Sequence, residues 1–196
     1  MTQDVRELSD VERLRQSLKD LPEPVGRPFL VLVGGLPATG KSYFSRRLAQ
    51  RAPAAILESD ALRRVLVPHP TYSGEESRRL FLACQLLIEV LLSDGIPVIL
   101  DATNLQEPQR EQFYRAAERA GARSVVVWVE APEELVRERM QARQRGLDPQ
   151  NKSEADWEVY SRMSGSAEPP RRNFFRANTS RDIEPVLEKV VRVVTP

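Results

Sequence analysis

Residues 35–42 read Gly35-Leu36-Pro37-Ala38-Thr39-Gly40-Lys41-Ser42, a complete G-x-x-x-x-G-K-[ST] sequence. Each residue type in it suits the holding of a phosphate chain. Gly35 and Gly40 free the backbone for unusual dihedrals and close approach to phosphate oxygens. Successive backbone N–H groups and the start of a helix supply partial positive charge. A lysine at position 41 reaches the β- and γ-phosphates, and a serine at 42 offers a hydroxyl to Mg²⁺. The flanks agree with the letters. Phe29-Leu30-Val31-Leu32-Val33 leads in as a buried strand, and Lys41 to Ala49 leads out with Phe44 and Leu48 on one helical face.

Further polar residues stand where apolar strands end, which is where open α/β sheets place their functional groups. After a second strand come Ser59, Asp60 and Arg63; after a third come Asp101, Thr103 and Asn104. Asp60 and Arg63 lie nearly one helical turn apart and face the same way. A carboxylate there can accept the proton of an attacking hydroxyl, and the guanidinium can hold the acceptor or the transferring group. The plainer reading is that Asp60 caps the helix 61–67 and Arg63 is a solvated charge. Asp101 follows Pro97-Val98-Ile99-Leu100, a position suited to holding Mg²⁺ directly or through water, to orienting Arg63, or to capping a turn. A later helix carries Arg137, Arg139 and Arg143, with Arg145 just beyond. Arg139 and Arg143 share a face, a repulsive pairing unless an anion lies between them. Glu133, Glu134 and Glu138 make a salt-bridged solvent face the alternative. Arg171, Arg172, Phe174, Phe175 and Arg176 mix basic and aromatic residues as single-strand binders do, although such a run is more often a strand with buried Phe and exposed Arg. His69, alone between two prolines, reads as an exposed loop residue.

Alternating strands and helices must position these groups. The pattern predicts helix 10–20 with a Ser9/Glu12 capping box, strand 29–33, helix 41–49, strand 54–58, and helix 75–93 capped by Ser73. It continues with strand 97–100, helix 107–120, strand 123–129, a helix from Pro132 to Gln144, helix 153–163, strand 174–178 and helix 182–194. The expected architecture is a three-layer α/β/α fold around a five-stranded parallel sheet, with a helical lid and an extra N-terminal helix. Residues 1–24 read as a helical extension and linker, and 25–196 as the nucleotide-binding domain, its lid at about 132–170. The polar segments 145–152 and 164–172 bracket a helix and suggest a mobile flap.

Bulk properties narrow the classes. With 196 residues, 41% hydrophobic and 29% charged, the chain has the composition of a globular domain. A net charge of +1 does not itself call for a polyanionic partner. Cys84 is the only cysteine, so no internal disulfide forms, and a cytoplasmic setting is expected. Cys84 lies on an apolar helix face, which predicts burial rather than reactivity. No run of 18 uncharged apolar residues is present, so no membrane span is expected.

Three pieces together, Gly35–Ser42, Ser59-Asp60-x-x-Arg63 and Asp101-Ala102-Thr103-Asn104-Leu105, resemble the small P-loop kinases that include polynucleotide 5′-hydroxyl kinases and AAA-type ATP-binding kinase domains. The resemblance spans roughly Phe29 to Val194. It implies ATP and Mg²⁺ as cofactors and transfer of the γ-phosphoryl to a hydroxyl: a small alcohol, a sugar acid or a polynucleotide 5′ end. It implies a catalytic set of Lys41, Asp60 as base, Arg63 on the acceptor side and Arg143 from the lid. ATP would be held by Gly35, Leu36, Pro37, Ala38, Thr39, Gly40, Lys41, Ser42, Tyr43, Arg139 and Thr179. Of these, Thr179 belongs to Asn178-Thr179-Ser180, which resembles the loop lying against adenine. Ser42 and Asp101 would serve the metal, and Asp60, Arg63, Thr103 and Asn104 the acceptor. Ala38 replaces a frequent glycine, which a negative φ would accommodate. No phosphatase or ligase domain accompanies the loop, so a nucleic-acid acceptor is the less favoured. A nucleotide-dependent ATPase or switch is the alternative from another class.

Overall fold

A computed structural model describes residues 2–145 and 156–195, with side chains from Ser9 onward. Five parallel strands form one sheet in the order β2-β3-β1-β4-β5: β1 Phe29–Gly34, β2 Ala55–Glu58, β3 Val98–Asp101, β4 Arg123–Glu130 and β5 Phe175–Asn178. The helices are α1 Thr2–Ser17, α2 Lys41–Ala49, α3 Ser59–Leu66, α4 Gly74–Ser93, α5 Glu107–Arg119, α6 Glu133–Gln144, α7 Trp157–Ser164 and α8 Glu184–Val194. The architecture is the expected α/β/α sandwich with a five-stranded parallel sheet.

β1 is buried at all six positions because both faces are covered. On one face, Leu30 and Leu32 pack with Leu87, Leu91, Phe113 and Tyr114. On the other, Val31 and Val33 pack with Phe44, Leu48, Leu187 and Val190. Register sets the functional edge: Val33 lies opposite Asp101, and Glu58 lies opposite the same aspartate from the far side. The ends of β1, β2 and β3 therefore meet at one rim.

The N-terminal helix differs from expectation. It runs over Thr2–Ser17 rather than 10–20, so Ser9 and Glu12 sit inside it and cap nothing. Val5 and Leu8 extend the Val11/Leu14 repeat toward the N-terminus, so the Ser9/Glu12 pattern marked a false start. It packs on α3 and α4 through Val11 and Leu14, members of the same core that β1 builds. Asp10 is only 3% exposed and takes both guanidinium bonds of Arg79 at 2.6 Å. Arg13 donates to the carbonyl of Val65 at 2.6 Å, tying α1 to the end of α3. Smaller shifts affect α3, which starts at Ser59, and α7, whose expected start at 153 lies outside the described residues. The Ser73 cap is present, its hydroxyl accepting from the Glu76 N–H at 3.2 Å.

A satellite cluster joins the lid to the loop. Val136 and Met140 of α6 and Tyr160 of α7 pack with Trp157, Leu36 and Ala38. Trp157 stacks on Tyr160 at 4.8 Å, and the Arg137 guanidinium lies over Trp157 at 3.5 Å. No helix among the described residues is long and apolar enough to cross a membrane.

Candidate active site

The loop between β1 and α2 takes the conformation its glycines permit. Gly35 has φ 143°, and a Cβ there would lie 2.1 Å from the Val129 carbonyl oxygen. Gly40 has φ 98°, and a Cβ would meet the Thr179 methyl at 2.9 Å. Ala38 departs from expectation, with φ 60° rather than a negative value. The loop closes on itself: Lys41 Nζ and the Thr39 hydroxyl both donate to the Leu36 carbonyl at 2.8 Å.

Around Lys41 the structure gathers carboxylates. Burial away from water lowers the Lys41 ammonium pKa, and the fields of Asp101 and then Asp60 oppose that. Asp101 is 5% exposed, and one carboxylate oxygen, Oδ2, has no hydrogen-bond partner. Burial raises its pKa from the ordinary 3.8, while Lys41 and the Ser42 hydroxyl pull it down and Glu58 and Asp60 push it up. An orphaned buried carboxylate oxygen beside a serine hydroxyl and a lysine fits a hard cation. No cluster of three or more His, Cys, Asp or Glu among the described residues forms a cage.

Asp60 stands in the first turn of α3, half-buried. The helix begins before it and is flanked by Glu58, so Asp60 is not its N-cap. Arg63 is only 12% exposed and is engaged by residues of α4 rather than solvated. Its Nη2 donates to the Ser77 hydroxyl at 3.3 Å, Glu76 lies 3.8 Å from Nη1, and its guanidinium lies 4.9 Å from the Tyr72 ring centre. Glu76 also accepts from the Thr71 N–H and hydroxyl and from the Tyr72 N–H. Those bonds, the Thr71 hydroxyl first, lower its pKa. Tyr72, at φ 56° and 41% exposed, is thus held by the α4 cap region. Sequence reading passed over Glu76 and Tyr72; only the folding of α4 against α3 brings them to Arg63.

Thr103 and Asn104 do framework work. The Thr103 carbonyl accepts from the Gly35 N–H at 2.9 Å. Asn104, buried and at φ 47°, donates from its amide to the Val33 carbonyl at 3.3 Å. The Thr103 carbonyl and the Asn104 amide thus tie the start of the phosphate loop and the end of β1 to the segment that follows β3. Behind them lies a residue the sequence reading missed. Arg110 is fully buried, paired with Glu107 and donating to the carbonyls of Asn104, Glu168 and Pro169. With Glu168 N–H bonded to the Leu105 carbonyl at 2.9 Å, it pins the 164–172 side of the lid. Residues 168–171 are thus tied to α5 and to the segment after β3, while 146–152 of the other expected flap segment lie outside the described residues. An Arg three residues after a Glu on a helix was the available signal, but it reads as surface pairing.

The lid arginines separate. Arg139 donates from Nη1 to the Ala38 carbonyl at 3.2 Å and the Thr179 hydroxyl at 2.9 Å, and from Nη2 to the Thr179 carbonyl at 3.2 Å. Arg143 lies half-buried in the last turn of α6, and Tyr43 is exposed beside the loop. The basic-aromatic run is largely occupied: Arg172 pairs with Glu111 and Glu118, and Arg176 lies 3.7 Å from Glu130. Cys84 is buried, its pKa pushed up to about 12. His69 is exposed.

A parallel sheet with a lysine-bearing phosphate loop after its central strand, and a helical lid over that loop, defines the P-loop kinase fold. The family model AAA_33, described as an AAA domain, matches residues 30–170, and the chain belongs to that family. No curated protein matches it. Among solved structures, the fold is similar to the Mycobacterium tuberculosis APS kinase CysC, solved with AMPPNP and APS. The TM-score is 0.62 at 20% identity, over 89% of this chain and 100% of that one. Chaetomium thermophilum Kti12 in complex with ADP-AlF3 gives 0.61 at 20% identity, over 85% and 100%. A gluconokinase from Sinorhizobium meliloti 1021 gives 0.54 at 18%, over 84% and 88%.

Proposed function

We propose that this chain is an ATP- and Mg²⁺-dependent kinase that transfers the γ-phosphoryl group to a hydroxyl acceptor. The observation that carries this reading is the grouping of Lys41, Ser42, Asp101 and Asp60 at the ends of β1, β2 and β3. In it, the loop amides and Lys41 hold the phosphate chain. Mg²⁺, bound at Ser42 and the orphaned oxygen of Asp101, would neutralise charge between the phosphates. Asp60 accepts the acceptor's hydroxyl proton as that oxygen bonds to the γ-phosphorus and the bond to the ADP oxygen breaks. Arg139 and the Thr179 loop bound the adenine end, and Arg143 reaches the phosphoryl group from the lid.

Carboxylate placement favours a kinase over an ATPase switch, which needs no base beside an acceptor pocket. The acceptor is a small hydroxyl compound rather than a polynucleotide, because Arg172 and Arg176 already have acidic partners. The similarity to a gluconokinase and to a kinase solved with APS fits a small acceptor. The test is γ-labelled ATP offered with pooled alcohols, sugar acids and 5′-hydroxyl oligonucleotides, with Lys41→Ala as control. Label in a small acceptor, lost in the control, is expected. Label released only as inorganic phosphate, whatever is added, would overturn the kinase reading.

A further inference from the structure

The phosphate loop must turn its N–H groups inward, and a trans peptide points each carbonyl opposite to the following N–H. Where the loop's carbonyls go therefore decides where its donors point. The Ala38 carbonyl is taken by Arg139 Nη1 at 3.2 Å, which aims the Thr39 N–H the other way. The Thr39 carbonyl accepts from the Thr179 hydroxyl at 2.6 Å, which aims the Gly40 N–H likewise. The Gly40 carbonyl accepts from the Phe44 N–H at 3.0 Å, turning the Lys41 N–H. One carbonyl faces the lysine instead, that of Leu36. The residue after it is Pro37, so no N–H is misdirected by that peptide. Among the described residues, no backbone carbonyl accepts from the N–H of Ala38, Thr39 or Gly40.

Arg139 and Thr179 also hold each other, hydroxyl to Nη1 at 2.9 Å and carbonyl to Nη2 at 3.2 Å. Thr179 is fixed in turn by its N–H, bonded to the Glu130 carbonyl at 2.9 Å. We propose that Arg139 and Thr179 are positioning residues that clamp the outward carbonyls of Ala38 and Thr39 and so set the loop's donors for phosphate before nucleotide arrives. The proposal deepens the kinase reading and rests on it. Its distinctive claim concerns the ligand-free protein, in which a residue that only contacts nucleotide would have no effect on the loop.

The experiment compares the full chain with Thr179→Val, Arg139→Met and Arg139→Lys. Backbone ¹⁵N order parameters at Ala38, Thr39 and Gly40 are measured without ligand. Affinities for Mg²⁺–tripolyphosphate and Mg²⁺–AMPPNP are measured by calorimetry, with amide exchange in β1 reporting the integrity of the fold. All three variants are expected to lower the loop order parameters from about 0.85 toward 0.6 and to weaken tripolyphosphate at least about tenfold. Arg139→Lys keeps the charge but lacks the planar fork, so it should behave like Arg139→Met. Unchanged ligand-free order in Arg139→Lys and Thr179→Val overturns the proposal, even if nucleotide affinity falls. If the unmodified chain binds neither ligand, the kinase reading fails instead, and the order parameters still decide the clamp.

Discussion

Ala38 carries its side chain at φ 60°, where a Cβ crowds the backbone. Ala38→Gly should therefore gain about 1 kcal/mol in urea unfolding without nucleotide; a loss would show that the methyl's packing with the lid outweighs its strain. Asp60→Asn keeps the shape and removes the base. Transfer should fall about 10²–10⁴-fold with ATP affinity unchanged; a drop in affinity alone would place Asp60 elsewhere. At Asp101 burial raises the carboxyl pKa above 3.8, so between 3.8 and the raised value the folded state binds more protons than the unfolded. Ionisation then opposes folding, and stability from this group falls as pH rises through that window. The stability of the unmodified chain minus that of Asp101→Asn should decline across it in nucleotide-free melts. The loop's residues were legible because their types and order are tied to phosphate chemistry. The φ of Ala38 was not, since alanine ordinarily signals a negative value, and the framework role of Thr103 runs through a carbonyl that every residue possesses.

Elements were legible where periodicity was strong. α4 shows its apolar face and Ser73 cap in sequence, and β1 its unbroken apolar run. The beginning of α1 was misplaced, because Ser9 and Glu12 match a capping box although Val5 and Leu8 carry the apolar repeat on past them. Arg110 illustrates the same limit on α5, for a fully buried arginine looks like a solvent-facing one until its carbonyl partners are folded around it. Arg110→Ala would strand Glu107 in the interior and release 168–169, so a cost of roughly 3–5 kcal/mol is expected in chemical denaturation. Limited proteolysis should then cut between 164 and 172, sites that stay resistant in the unmodified chain; resistance in the variant would mean that the Leu105 bond and the contacts of Arg171 and Arg172 hold the segment without Arg110.

For the whole molecule, α1 belongs to the body of the fold. It packs on α3 and α4, the elements bearing Arg63 and Glu76, through Val11, Leu14 and the Asp10–Arg79 pair. Asp10→Ala should lower stability by roughly 1–3 kcal/mol, since Arg79 loses two charge-assisted bonds but can still reach water. The denaturation curve should remain a single transition; a separate early transition would instead make α1 an independent appendage.

Thr179 fills the space that Gly40 leaves, and the two lie 139 residues apart in the chain. On the ribosome, where the chain emerges from its N-terminus, β1 and the phosphate loop appear long before the residue that seats them. A nascent chain halted at any point before β5 lacks the hydroxyl on which the Thr39 carbonyl rests. By the proposed clamp, nucleotide capture comes late in synthesis, and products truncated before Thr179 should be poor competitors for the cell's ATP.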